Sequence, residues 1–139
     1  MSNLDRAREI LSEGGYTCVI CSDRDTQTSR QRGVAPLLKW LDEGINLSEY
    51  SAADKVVGKG AAYLYILLEI KELYADVISR PAYDTLKKYS IPVTYTTLTD
   101  NVRNRDNTEF CPIETVVMDI DNPKDALTAI RRKIEDMKK

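Results

Sequence analysis

From Ala61 to Leu68 the chain reads Ala-Ala-Tyr-Leu-Tyr-Ile-Leu-Leu, its longest apolar run. With Ile70 it predicts a helix over Ala61 to Ile70 that is apolar nearly all round, and such a helix must lie at the centre of a fold. The run is well short of the roughly 18 residues that would suggest a membrane span. Just before it stands Ala53-Asp54-Lys55-Val56-Val57-Gly58-Lys59-Gly60. That order places Asp54 and Lys55 at the edge of the core, where an unpaired charge is costly. Such charges need partners or a ligand.

A chain of 139 residues is the size of one domain, and one domain over 1–139 is expected. Lys plus Arg (20) and Asp plus Glu (22) nearly cancel, leaving a formal charge of -2. Nucleic acid is therefore an unlikely partner, because such binders normally show a basic face. The stretch Lys124 to Lys139 is locally basic but carries Asp125, Glu135 and Asp136, and reads as a solvated helix face. Met1 to Leu11 is polar and amphipathic, unlike a secretion signal, so a cytoplasmic protein is expected. Three cysteines fit a reducing compartment. Cys18 and Cys21 make a CxxC, but a β-like surrounding would point them to opposite faces, so they read as core thiols.

The chain has no histidine. This removes the commonest general base and metal ligand together, and with them Ser-His-Asp, Cys-His and His-zinc hydrolysis within one chain. No metal site and no cofactor is expected. Asp54 and Asp76 could pair on a divalent metal, but two acids without a third ligand are a weak signal.

Along the sequence, Leu4, Ala7, Ile10 and Leu11 follow a helical spacing between Ser2-Asn3 and Gly14-Gly15. Tyr16 to Ser22 and Thr26 to Arg30 read as a hairpin whose polar second strand lies near an edge. A short helix over Val34 to Leu41 follows, with Trp40 in the core. Ala53 to Val57 predicts a strand leading into the central helix, Leu73 to Ile78 a buried strand, and Pro81 to about Tyr89 a helix with proline near its first position. Ile91 to Tyr95 predicts another strand and Asn104 to Phe110 a polar loop. Cys111-Pro112-Ile113-Glu114 and Asn122-Pro123-Lys124-Asp125 read as two further helix starts, with Cys111 at the cap and Glu114 at the third position of the former. A hairpin followed by alternating helices and strands predicts an α/β fold, a three-layer α-β-α domain with a mixed sheet. Ligands of such sheets collect at strand ends and helix starts.

Gly58-Lys59 fails as a P-loop, which needs Gly at Ala53 and Ser or Thr at Gly60. Gly58-Lys59-Gly60 is either an anion-binding turn at a helix start or a close contact that excludes side chains. Cys111 at a helix start is either a thiolate nucleophile, with Glu114 as the nearest base, or a packed thiol. Arg105 suits a phosphate or carboxylate, and an ion pair with Asp106 or Glu114 equally well.

The order of elements, with helix starts at Gly58-Lys59 and at Ser79-Arg80-Pro81, resembles the cytidine deaminase-like fold. In zinc deaminases the first start carries His or Cys plus Glu, and the second Pro-Cys-x-x-Cys. Here Pro81 matches, Ala82 and Thr85 replace the cysteines, and no His, Cys or Glu lies between Asp54 and Ala62. More closely, the chain is similar to a small prokaryotic family of unknown function within that fold. Its marks are Ala53 to Lys59, Tyr74-Ala75-Asp76-Val77-Ile78-Ser79, Asn104-Arg105-Asp106 and Cys111-Pro112-Ile113-Glu114. The resemblance implies the fold and no activity.

The expected function is a zinc-free domain holding a nucleotide-derived or other small anionic ligand in the cleft at the helix starts. Lys55, Gly58, Lys59, Ser79, Asn104 and Arg105 are the expected binding residues. One alternative is an enzyme with Cys111 or Lys55 as nucleophile and Asp54 and Glu114 as acid-base groups. Another is a non-catalytic assembly module, a homodimer paired through the polar hairpin strand.

Overall fold

The computed structural model describes residues 2–31, 33–100 and 112–138. Helix α1 (Asn3–Gly14) leads into the hairpin β1 (Cys18–Cys21) and β2 (Thr26–Ser29), then α2 (Ala35–Asp42) and β3 (Ser51–Val57). Next come α3 (Lys59–Leu67), β4 (Glu72–Ser79), α4 (Arg80–Lys88), β5 (Val93–Thr99), α5 (Pro112–Val117) and α6 (Pro123–Met137). Among the described residues, five strands form one sheet in the order β2-β1-β3-β4-β5. β1 runs antiparallel to both neighbours, while β3, β4 and β5 are parallel. The sheet is mixed, opens with a hairpin and leaves the polar β2 at its edge, as the sequence predicts.

Local chemistry explains where the helices begin and end. The side chains of Ser2, Ser79 and Asn122 accept from backbone N–H groups in the first turns of α1, α4 and α6. Each satisfies a donor that the helix itself leaves open. Gly15 closes α1 in the left-handed conformation (φ 69°), which glycine adopts without steric cost.

Two clusters of buried side chains lie on the two faces of the sheet. On one, Ala7 and Leu11 of α1 pack on Val19, Cys21, Ala53 and Tyr74. On the other, α3 is packed against β3, α2, α4, α5 and α6. Gly60 through Tyr65 are all buried, so the helix that is apolar on every side is covered on every side. Leu64 and Tyr65 have no exposed surface, and burying a side chain of this size contributes roughly 1.5–3 kcal/mol. Cys18 belongs to the α3-side cluster and Cys21 to the α1-side cluster. The CxxC thus cannot close on itself.

The boundaries differ from expectation in two useful places. β5 continues past Tyr95 to Thr99, paired with β4 up to Ser79. Its threonines favour strand backbone, but exposed along an edge they show no apolar alternation to read. The second difference is a break in alternation at the ends of β3 and β4. Ala52 and Val57 pack in the same cluster, as do Ala75 and Ile78, although each pair is an odd number of residues apart. The strands therefore turn before they enter α3 and α4, and Val56 is left 47% exposed.

Candidate functional site

β3 and β4 deliver the chain to α3 and α4 side by side, so two helix starts meet at the C-terminal ends of parallel strands. The first start is already occupied. The Glu114 carboxylate of α5 accepts from the backbone N–H of Lys59 at 2.6 Å and from that of Gly60 at 2.9 Å. Glu114 holds the third position of α5 and caps the start of α3. A Cβ on Gly58 would stand 2.5 Å from the Glu114 carboxyl carbon, and one on Gly60 would stand 2.8 Å from Cγ2 of Ile113. The close-contact reading of Gly58-Lys59-Gly60 therefore holds: its glycines let the Glu114 carboxyl group and Ile113 approach the start of α3.

Other contacts tie the same region down. The Lys59 ammonium donates to the carbonyl of Met118 at 2.9 Å, and the Tyr63 hydroxyl to the carbonyl of Ile120 at 2.7 Å. Burial raises the pKa of Glu114, while the Gly60 and Lys59 N–H groups and the nearby Lys59 charge oppose that rise. Two N–H donors on one carboxylate favour its ionised form.

At the second start, the fully buried Ser79 accepts from the Ala82 N–H at 3.2 Å and so caps α4. Ala82 and Thr85 are buried, and the Thr85 hydroxyl donates to the Pro81 carbonyl at 2.7 Å.

Asp54 lies deeper than the core edge the sequence suggests. It is 8% exposed, and its carboxylate accepts from the Tyr65 hydroxyl at 2.7 Å. That hydroxyl is also 3.2 Å from Sγ of Cys18, the residue opposite Asp54 in the β1–β3 register. Desolvation pushes Asp54 up to about 7, the bonds from Tyr65 and from the Val56 and Lys55 backbone opposing it. Tyr65 is not among the residues expected at the site, although its hydroxyl inside an otherwise apolar helix is a signal in the sequence: a buried tyrosine O–H needs a partner.

Lys55, adjacent to Asp54, is exposed. Neighbouring strand residues point to opposite faces, so Lys55 is not brought to Asp54 and lacks the burial an amine nucleophile there would require. Asp76 also departs from expectation. Its register neighbour Ala75 pairs with Asp54, so Asp76 faces α1, where the Tyr74 hydroxyl donates to it at 2.9 Å. The two aspartates therefore share no metal site. Among the described residues no cluster of three His, Cys, Asp or Glu side chains could hold a metal.

The structure thus unites Gly58, Lys59 and Glu114, sets Ser79 at the neighbouring helix start, and separates Lys55. Asn104, Arg105 and Cys111 lie outside the described residues. On the α1 face, unforeseen from sequence, Asp5, Arg8, Glu9, Ser12, Tyr74 and Asp76 line an open groove of 310 Å³. The Arg8 guanidinium stacks 4.1 Å from the centre of the Tyr74 ring there.

Fold and site together define an α/β domain with a mixed five-stranded sheet and paired helix starts at its parallel-strand ends. The chain belongs to the TM1506 family, described as a domain of unknown function (DUF1893), whose model matches residues 6–134. A crystal structure of a DUF1893 family protein (TM1506) from Thermotoga maritima superposes with a TM-score of 0.88 at 27% identity. The match covers 96% of this chain and 91% of that one. No curated protein matches the sequence. Among the described residues, no helix is long and apolar enough to cross a membrane.

Proposed function

We propose that this is a zinc-independent, cytidine deaminase-like domain that binds a small anionic ligand, nucleotide-derived by preference, at the starts of α3 and α4. The strand order β2-β1-β3-β4-β5 with β1 antiparallel supports the deaminase-like reading, and fold alone assigns no activity. One observation carries the ligand reading: the first N–H groups of α3 already hold a carboxylate. In this proposal Glu114 stands in for the ligand's anion and yields when the ligand arrives. Asn104 and Arg105 supply further donors from the segment leading into α5, and Cys111 is the nucleophile should the site be catalytic. The proposed setting is cytoplasmic.

A specific observation favours the second reading, a non-catalytic assembly module. Lys59, Ser79 and Glu114 each have a partner within the chain. Thermal shift with nucleotides, nucleosides and sugar phosphates on the parent, Glu114→Ala and Lys59→Ala separates the two. A ligand at about 100 times its Kd adds roughly 2.7 kcal/mol. Glu114→Ala lowers the ligand-free melting temperature yet binds the anion more tightly, whereas Lys59→Ala binds it less tightly. If no compound shifts either the parent or Glu114→Ala, the ligand reading is wrong and the module reading stands.

A further inference from the structure

We propose that Asp54, Tyr65 and Cys18 form a buried hydrogen-bond chain whose direction reverses when Asp54 gains or loses its proton, a proton-responsive link joining β3, α3 and β1. This inference is independent of the ligand reading.

The three groups come from three elements and are shut away from water, at 8%, 0% and 1% exposure respectively. Tyr65 lies between the other two, 2.7 Å from Asp54 Oδ2 and 3.2 Å from Cys18 Sγ. Its hydroxyl has one proton, so it can donate along the chain in only one direction at a time. When Asp54 is ionised, its carboxylate only accepts. Tyr65 then donates to Asp54, and the Cys18 thiol donates to Tyr65. When Asp54 is protonated, its O–H donates to Tyr65, and Tyr65 donates to Cys18 Sγ. The proton that leaves Asp54 is taken up by the solvent.

The surrounding charges leave Asp54 as the group that titrates. From β1 it faces Cys18 and from α3 Tyr65, and from β4 the charge of Asp76, on the other face of the sheet, acts to raise it. Lys55 points away, and no cationic side chain among the described residues bonds to Asp54. Burial lifts Cys18 and Tyr65 well above their ordinary values, so both stay protonated near neutrality, where Asp54 changes state.

The thiol S–H stretch in the infrared reports this directly, because it moves to lower frequency when the thiol donates. The Cys18 band, assigned by its loss in Cys18→Ala, should shift downward as pH rises between about 5 and 8. In Asp54→Asn it should stay fixed over the same range. A Cys18 band that does not move, or that moves equally in Asp54→Asn, overturns the proposal. Should Asp54→Asn fail to fold, Tyr65→Phe serves instead: the thiol band should stop responding while the carboxylic acid band of Asp54 still titrates. A thiol band that keeps shifting in Tyr65→Phe overturns the proposal as well.

Discussion

The Glu114 carboxylate fills the place where a Cβ of Gly58 would be, 2.5 Å from its carboxyl carbon. Gly58 has φ -97° and ψ 179°, a conformation open to any residue. The glycine is therefore required by its neighbour rather than by its backbone, and the two positions must be energetically coupled.

Gly58→Ala is accordingly expected to destabilise the protein by about 1–3 kcal/mol, the usual cost of forcing a methyl into a filled space. On a Glu114→Ala background the same change should cost under about 0.5 kcal/mol, because the obstructing carboxylate is gone. Denaturant titration of all four proteins checks this. Equal costs in both backgrounds would show that the contact does not govern position 58.

Glu114→Gln keeps the shape and removes the charge. One amide oxygen replaces two carboxylate oxygens, so one N–H at the start of α3 loses its acceptor. A loss of roughly 1–3 kcal/mol should follow, as for a buried donor left unpaired. Unfolding by urea measures it, and faster amide exchange at Lys59 or Gly60 would locate it.

Asp54 makes stability depend on pH in a defined direction. Its pKa rises on folding from 3.8 to about 7, so its contribution is fully present below the unfolded value and is lost as pH rises through the folded one. Above neutrality the ionised group costs at most about 4 kcal/mol, at 1.36 kcal/mol per unit. Asp54→Asn should thus be more stable than the parent above neutrality and show a smaller decline with pH. A parent that gains stability between these two values would contradict the burial argument.

Ser90 ends α4 at φ 62°, a left-handed conformation that strains any residue with a Cβ. It is exposed, so Ser90→Gly should stabilise the fold by about 0.5–1 kcal/mol after the added freedom of the unfolded chain is counted. A drop in melting temperature would show that the serine makes a contact worth more than the strain.

Untagged protein should carry no stoichiometric zinc, since Ala82 and Thr85 offer no zinc ligand of the deaminase kind. Elemental analysis tests this, and about one zinc per chain would require a site built from other residues.

The sequence by itself determined what depends on neighbours along the chain. The central position of α3 follows from an apolar run with no polar face, and the edge position of β2 from its polar strand. The helix starts at Ser2, Pro81 and Asn122 follow from capping and proline chemistry within one turn. Opposite faces for Cys18 and Cys21 follow from the strand period. Only the tertiary structure decided which groups meet across long separations. Glu114 reaches Gly60 over 54 residues and Tyr65 meets Cys18 over 47. Glu114 carried a local signal for capping its own helix, and packing of α5 against α3 brings its carboxyl group to the Lys59 and Gly60 N–H groups. Asp54 signalled only that it needed a partner. The α3-to-sheet packing that buries Tyr65 supplied that partner, because a hydroxyl and a carboxylate enclosed together satisfy each other where water cannot.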